Sequence, residues 1–151
     1  MRNRRRSRRD GTSTVLELLL ATRVEGRRGA AAALARVAAG AVFVVFGIGK
    51  FSQHATEVES FRTYGLPSPD AFVYAIGVLE IAGGLMLIAG FLTRFAALAL
   101  AGDMVGAIVV SGIKEGEIVS VTLAPAQLVV MLVLLWAGPG ARAADAALAR
   151  R

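Results

Sequence analysis

The chain contains no cysteine, and its only histidine is His54. Without thiols it forms no disulfide, builds no thiolate metal site and performs no thiol–disulfide exchange by itself. A lone histidine does not build a histidine metal centre, so no metal site is expected. Lysine is scarce as well, with only Lys50 and Lys114. Charge of either sign is almost missing from the middle of the chain: between Ala71 and Thr93 the one charged residue is Glu80.

What is present instead is apolar. Of the 151 residues, 56% are hydrophobic, and the mean hydropathy is +0.62. A soluble domain is about 45–50% apolar even with glycine counted. A core of this size does not bury that excess, so the lipid bilayer is the expected solvent and first partner. The net charge of +6 is concentrated, with nine of the fifteen arginines in residues 1–28 and six of these between Arg2 and Arg9. The remainder is nearly balanced, so no nucleic acid is expected as a partner. A basic tail beside a hydrophobic segment reads as a cytoplasmic topology signal and a contact for anionic lipid. Its short apolar patch "VLELLL" is interrupted by Glu17 and followed by no A-x-A-like site, which argues against a signal peptide.

Four segments reach the length of about 20 residues that a bilayer core of about 30 Å requires. They are expected at about 30–50, 71–90, 95–113 and 119–137. Pro125 in the last removes a helix hydrogen bond and predicts a kink. The segment 51–70 reads as a polar loop, with "GLPSP" as breaker and Asp70 as the N-cap of the second span. "LTR" at 92–94, "KEGE" at 114–117 and "GPG" at 138–140 supply the other breaks. The expected class is an all-α integral membrane protein, a four-helix bundle over residues 30–140. A basic, largely disordered tail over 1–29 precedes it and a short tail over 141–151 follows. Loop arginine and lysine place both termini in the cytoplasm. An even number of spans demands the same agreement.

The spans are not purely apolar. Glu80, Asp103 and Gln127 fall near the middle of the second, third and fourth spans. Arg36 falls about five residues on the cytoplasmic side of the first midpoint, roughly 7.5 Å at helical rise. A charged residue at mid-bilayer costs at least about 2.5–3.5 kcal/mol, so these groups are expected to face one another inside the bundle. The stripe Arg36–Gly40–Phe43–Gly47–Lys50, the stripe Gly77–Glu80–Gly84 and the third-helix "GDMVG" pair small residues with polar ones, a mark of close helix packing in lipid. The acids outnumber the base. Either one acid is protonated, or the pair shares a proton, or a ligand, ion or water cluster fills the gap. Lys50 reads as a snorkelling anchor at the membrane interface and Arg94 as a second interface residue. His54 reads as a solvated loop residue. The bland alternative is that the whole layer simply holds the bundle together.

These residues, in this order, resemble the DoxX family of small four-helix bacterial membrane proteins. The likeness runs over about residues 34–145. It rests on "LARVAAGAVFVVFGIGKF", "YGLPSP", "EIAGGLMLIAGFLTRFAAL" and a C-terminal "GPG" with Asp145. The family often ends in "GPGR-x-S-x-D"; here "GPGARAAD" lacks the serine. The resemblance implies a membrane subunit associated with a quinone or with an oxidative-stress oxidoreductase. It also implies that Arg36, Lys50, Glu80, Arg94 and Asp103 match or neighbour recurrent polar positions. Without cysteine or a histidine pair the chain holds no redox metal unaided, so an enzymatic role needs a soluble or membrane oxidoreductase partner. A non-catalytic scaffold or assembly protein is the nearest alternative. A small solute or proton transporter, requiring a homodimer, is the third.

Overall fold

The structure is a computed structural model and describes residues 22–141 and 143–145. The regular elements in this range are helical. In chain order they are α1 (Gly26–Ser52), α2 (His54–Thr63), α3 (Pro69–Ala89), α4 (Thr93–Ala107) with a π-helical continuation (Ile108–Ile113), and α5 (Ile118–Ala137). Four units are long and apolar enough to cross a membrane: α1, α3, α4 with its π segment, and α5. Their outward faces carry Leu34, Val45, Val78, Leu98 and Trp136, all exposed. An apolar shell of this kind suits lipid rather than water. The protein is an all-α membrane protein with a four-helix bundle, as its hydropathy predicts.

Glycine decides how closely α1 and α3 approach. A Cβ added at Gly40 would lie 2.7 Å from the Gly84 carbonyl oxygen, and one at Gly84 would lie 2.6 Å from that of Gly40. One turn-pair further along, a Cβ at Gly47 would lie 2.9 Å from the Gly77 carbonyl oxygen. Backbone meets backbone at both crossings, which only hydrogen side chains permit. The expected close contact at "GDMVG" is not formed. A Cβ at Gly102 or Gly106 would meet nothing within 4 Å. These two glycines border a cavity instead.

α3 starts with Pro69 in its first turn, where a missing amide donor is harmless. Ser68, not Asp70, is the N-cap residue, and Asp70 lies within the first turn. The helix ends at Gly90, whose φ of +67° is left-handed. The Phe91 amide donates back to the Met86 carbonyl at 3.0 Å, closing a Schellman-type end. The next residue but one, Leu92, also has a positive φ, +45°. That strained corner is held from the far end of the chain. Asp145, fully buried, accepts the amides of Leu92 at 2.7 Å and Thr93 at 2.9 Å. It thereby caps α4, and its own amide donates to the Gly90 carbonyl at 2.9 Å. Residues 143–145 are therefore docked on the bundle rather than trailing from it. Residues 1–21 and 146–151, most of the expected tails, lie outside the described residues; the range 26–29 already belongs to α1.

The expected loop at 51–70 contains α2. Val58 and Phe61 sit one turn apart, a spacing legible in the sequence but masked by the surrounding charge. α2 has no buried residue and rides over the bundle rather than within it. His54 at its start bonds through Nε2 to Asp70 Oδ1 at 2.8 Å and stacks on Tyr74 with centroids 4.4 Å apart. His54 is thus a clip between α2 and α3, not a free loop residue.

Candidate functional site

The four spans enclose a cavity of about 710 Å³ in the half of the bundle remote from the chain ends. Every span brings a charged or amide side chain to it, Lys50 from α1, Glu80 from α3, Asp103 from α4 and Gln127 from α5, and the third and fourth spans add the hydroxyls of Ser111 and Ser120. α2 lies along its mouth with Glu57, Ser60, Phe61 and Tyr64. Aromatic and aliphatic groups such as Phe46, Phe72, Ile76 and Leu123 form much of the remaining wall. On the side toward the termini the bundle is shut by a packed layer of Phe43, Leu87, Leu100, Met131 and Leu134.

The centre of the site is a buried ion pair. Lys50 Nζ lies 3.2 Å from Glu80 Oε2, with side chains 12% and 5% exposed. The approach is close enough for strong attraction but too oblique for a straight hydrogen bond, so Glu80 Oε2 has no hydrogen-bond partner among the described residues. Asp103 lies within the electrostatic reach of both Lys50 and Glu80, and its Oδ2 is likewise buried without a hydrogen-bond partner. Gln127 donates from Nε2 to the Ala39 carbonyl at 3.4 Å, a long bond. Two carboxylates against one ammonium leave the cluster rich in acceptors.

The expected partner of the acids, Arg36, is elsewhere. Its Nη1 donates to the Leu87 carbonyl at 2.8 Å and approaches that of Ile88 at 3.4 Å, at the C-terminal end of α3. A guanidinium there complements the exposed carbonyls and the negative end of the helix dipole. Asp145 adds an opposite charge nearby. A Cβ at Gly90 would run into Arg36 Nη1, so the glycine is needed twice, for its φ and for its bareness. The reason for the exchange of roles is directional. Side chains on a helix lean toward its N-terminus. Arg36, near the start of α1, therefore reaches out toward the chain ends, away from mid-membrane. Lys50, near the end of α1, leans back into the bundle. The snorkelling reading of Lys50 had its side chain going the wrong way. Arg94, in the first turn of α4, stays at the terminal end and donates to the Trp136 carbonyl at 3.5 Å; it does not line the cavity.

Two features near the cavity were not read from the sequence. The π-helical turn at Ile108–Ile113 brings Ser111 to the wall, where its hydroxyl bonds the Ala107 carbonyl at 2.9 Å and the Ser120 hydroxyl at 2.6 Å. Such widened turns carry no sequence signature that propensity detects, yet they recur at functional sites. Glu117 caps α5 by accepting the amides of Val119 at 3.0 Å and Ser120 at 2.7 Å. Burial alone would push the Glu117 carboxyl up, but the bonds from Ser120 and the Val119 amide outweigh it and hold the group below its usual range. Tyr64 across the mouth goes the other way. Burial first, then the negative charges of Glu117, Glu57 and Glu115, push its phenol up, which keeps it a neutral hydroxyl.

Comparison with known proteins now decides the family. The DoxX family model matches residues 31–113, which span α1 through the π turn and include Lys50, Glu80 and Asp103. The chain belongs to the DoxX family. A Mycobacterium tuberculosis (strain ATCC 25618 / H37Rv) relative, "Uncharacterized membrane protein Rv3486", is 35% identical over 130 residues, covering 77% of this chain and 80% of the relative. A Bacillus subtilis (strain 168) relative, "Putative oxidoreductase CatD", is 33% identical over 81 residues, covering 54% of this chain and 59% of that protein. No solved structure matches this DoxX chain. Among the described residues no three acids or histidines are grouped to hold a metal ion.

The quinone that DoxX resemblance implies can be tested against the site. Ligand cavities run from about 300 to 1,000 Å³, largely apolar with a few convergent polar groups. This cavity lies in that range, has a largely apolar wall, and ends in side chains that both donate and accept. The orphan carboxylate oxygens of Glu80 and Asp103 give a polar ring something to satisfy. The residues of this DoxX protein fit such a head group.

Proposed function

We propose that this DoxX protein is the membrane-embedded, ligand-holding subunit of an oxidoreductase, and that its ligand is a quinone-class lipid. The observation that carries the reading is the single cavity in which Lys50, Glu80, Asp103 and Gln127, from four different spans, meet inside an apolar wall. The apolar wall suits a prenyl-type chain arriving from lipid. Lys50 would donate to a ring oxygen, and Glu80 and Asp103 would hold or release protons at their carboxyl oxygens. When bound, the quinone supplies the capacity to exchange electrons together with protons. The electrons must come from a partner, since the chain has no cysteine and one histidine. The name of the Bacillus subtilis relative supports the oxidoreductase setting. A through-pore finds less support, because the layer of Phe43, Leu100, Met131 and Leu134 shuts the cavity on one side.

In this reading the protein sits in the cytoplasmic membrane with both termini inside, and the cavity opens toward the opposite face. The cysteine-free sequence makes the orientation easy to test. A Ser60→Cys variant should react with an impermeant maleimide in intact cells, whereas Ala141→Cys should react only after the membrane is opened.

The decisive experiment is purification of the intact protein in mild detergent, with co-purified proteins and extracted lipids identified by mass spectrometry. Glu80→Gln is run alongside. A stoichiometric quinone or redox partner, lost in the folded variant, supports the proposal. The same partners in both, or none in either, would favour a scaffold held together by its ion pair.

A further inference from the structure

We infer that the cavity has a lateral opening in the lipid: a gap between α3 and α4, in the half of the bundle remote from the chain ends, with Gly102 and Gly106 as its sill. A hydrocarbon chain lies through this gap while its head group rests by Lys50, Glu80 and Asp103. What passes is read from the proposed ligand class, on which this inference rests. Where it passes is read from the helices.

The seam between α3 and α4 closes at one end and opens at the other. The two helices are joined by a short turn at 90–92. On the side of that turn they touch: a Cβ at Gly83 would lie 3.0 Å from the Leu100 side chain. Beyond Leu100 the contact stops. A Cβ at Gly102 or Gly106 would meet nothing within 4 Å, and both glycines are exposed. Gly102 follows the exposed Leu98 by four residues and precedes the exposed Val105 by three, so it stands at the edge of the lipid face of α4. It also lines the cavity, as does Gly106. Lipid and cavity therefore meet across these glycines, with no side chain of their own between the two. The facing edge is Phe72, Ile76 and Leu79 of α3, at steps of four and three. Phe72 is itself 39% exposed.

The neighbouring seams carry contacts that this one lacks. α1 meets α3 backbone to backbone at Gly47 and Gly77. A Cβ at Gly112 would lie 3.2 Å from the Ser120 carbonyl oxygen, which ties the end of the third span to α5. Gln127 reaches from α5 to the Ala39 carbonyl of α1. The mouth under α2 differs in chemistry. Glu57, Ser60, Tyr64 and Glu117 line it, groups that keep company with water rather than methylenes. A chain that leaves lipid for water loses hydrophobic free energy with every methylene. A chain that crosses between α3 and α4 stays among apolar groups. The helices on either side are continuous, so the gap leaves no backbone amide unpaired in lipid.

The test uses the full chain in lipid nanodiscs doped with hexadecanol that carries a photoreactive diazirine close to its hydroxyl. After illumination, adducts are mapped by mass spectrometry. The expected pattern is adducts on Ile76, Glu80 and Asp103 as well as on the lipid-facing Val78 and Val105. Gly102→Phe, and Gly106→Phe, whose ring leans back over Gly102, should each lose most of the inner adducts and keep the outer ones. Adducts confined to the lipid-facing residues of the wild-type protein overturn the inference, as do inner adducts undiminished in both variants. The wild-type map is a test by itself, so a variant that fails to fold does not spoil the experiment. The ligand class is read separately, by adding decylubiquinone. Displacement of the inner adducts supports a quinone passing through the gap. Inner adducts that are lost in the variants but not displaced by decylubiquinone keep the gap and overturn the ligand class.

Discussion

The ion pair between Lys50 and Glu80 gives the sharpest stability prediction. Consider Lys50→Met, Glu80→Gln and the double variant. At 3.2 Å, with an effective dielectric of about 20, the attraction is about 5 kcal/mol. The oblique geometry and the partial exposure of Lys50, 12% of its side chain, reduce what is recovered. Removing one partner of a buried pair costs about 3–5 kcal/mol, mainly because the other charge is stranded. Lys50→Met strands Glu80 beside a second acid, Asp103, so a loss of about 3 kcal/mol is expected. Glu80→Gln should cost less, about 1–2 kcal/mol, because Lys50 keeps Asp103 and Glu117 within electrostatic reach. The double variant should then cost less than the sum, with a coupling of about 2 kcal/mol or more. The assay is reversible unfolding in mixed micelles with increasing SDS, followed by circular dichroism. A coupling below about 0.5 kcal/mol, the value of an exposed pair, would mean that Lys50 reaches for the membrane surface after all. The reasoning from side-chain direction would then fail.

Three further outcomes are expected. Gly40→Val and Gly84→Val should each destabilise by about 2–3 kcal/mol in thermal unfolding, because a Cβ meets backbone oxygen. Gly102→Ala, whose Cβ meets nothing within 4 Å, should change stability by less than about 0.5 kcal/mol. Asp145→Ala removes two amide contacts at a fully buried cap and should cost about 2–4 kcal/mol; Asp145→Asn, which keeps an acceptor, should lose less in the same assay. The Glu117 carboxyl is held below its usual range in the folded state. A depressed acid adds stability above its unfolded value of about 4.3, and that stability is lost as pH falls through the folded value. The wild-type protein should thus lose stability below about pH 4 by an increment absent from Glu117→Gln. Identical pH curves for the two proteins would remove the cap from the account.

Much of the fold was legible in the sequence because a bilayer reads hydropathy directly. The four spans appear within a few residues of their expected limits, and Gly40, Gly47, Gly77 and Gly84 lie on the stripes their spacing marks. Glu80, Asp103 and Gln127 were legible as one layer for the same reason, since each sits midway along a span. α2 was missed because its apolar positions are few and the segment is mostly polar, so burial did not mark it. The Gly102–Gly106 motif misled because small residues serve equally to admit a neighbouring helix or to leave a space.

The amino-acid sequence by itself therefore determined the solvent, the number of spans, and the mid-span depth of Glu80, Asp103 and Gln127. Composition and period suffice for those, because each depends on one helix at a time. Tertiary structure alone decided which charges meet. Arg36 and Lys50 lie on one stripe of α1 and are equivalent in any pattern. Their side chains both lean toward the start of the helix, so one goes to the end of α3 and the other to Glu80. The cavity, too, exists only between helices. Its shape follows from glycine contacts on one side of the bundle and a widened π turn on the other, neither of which a single helix can express.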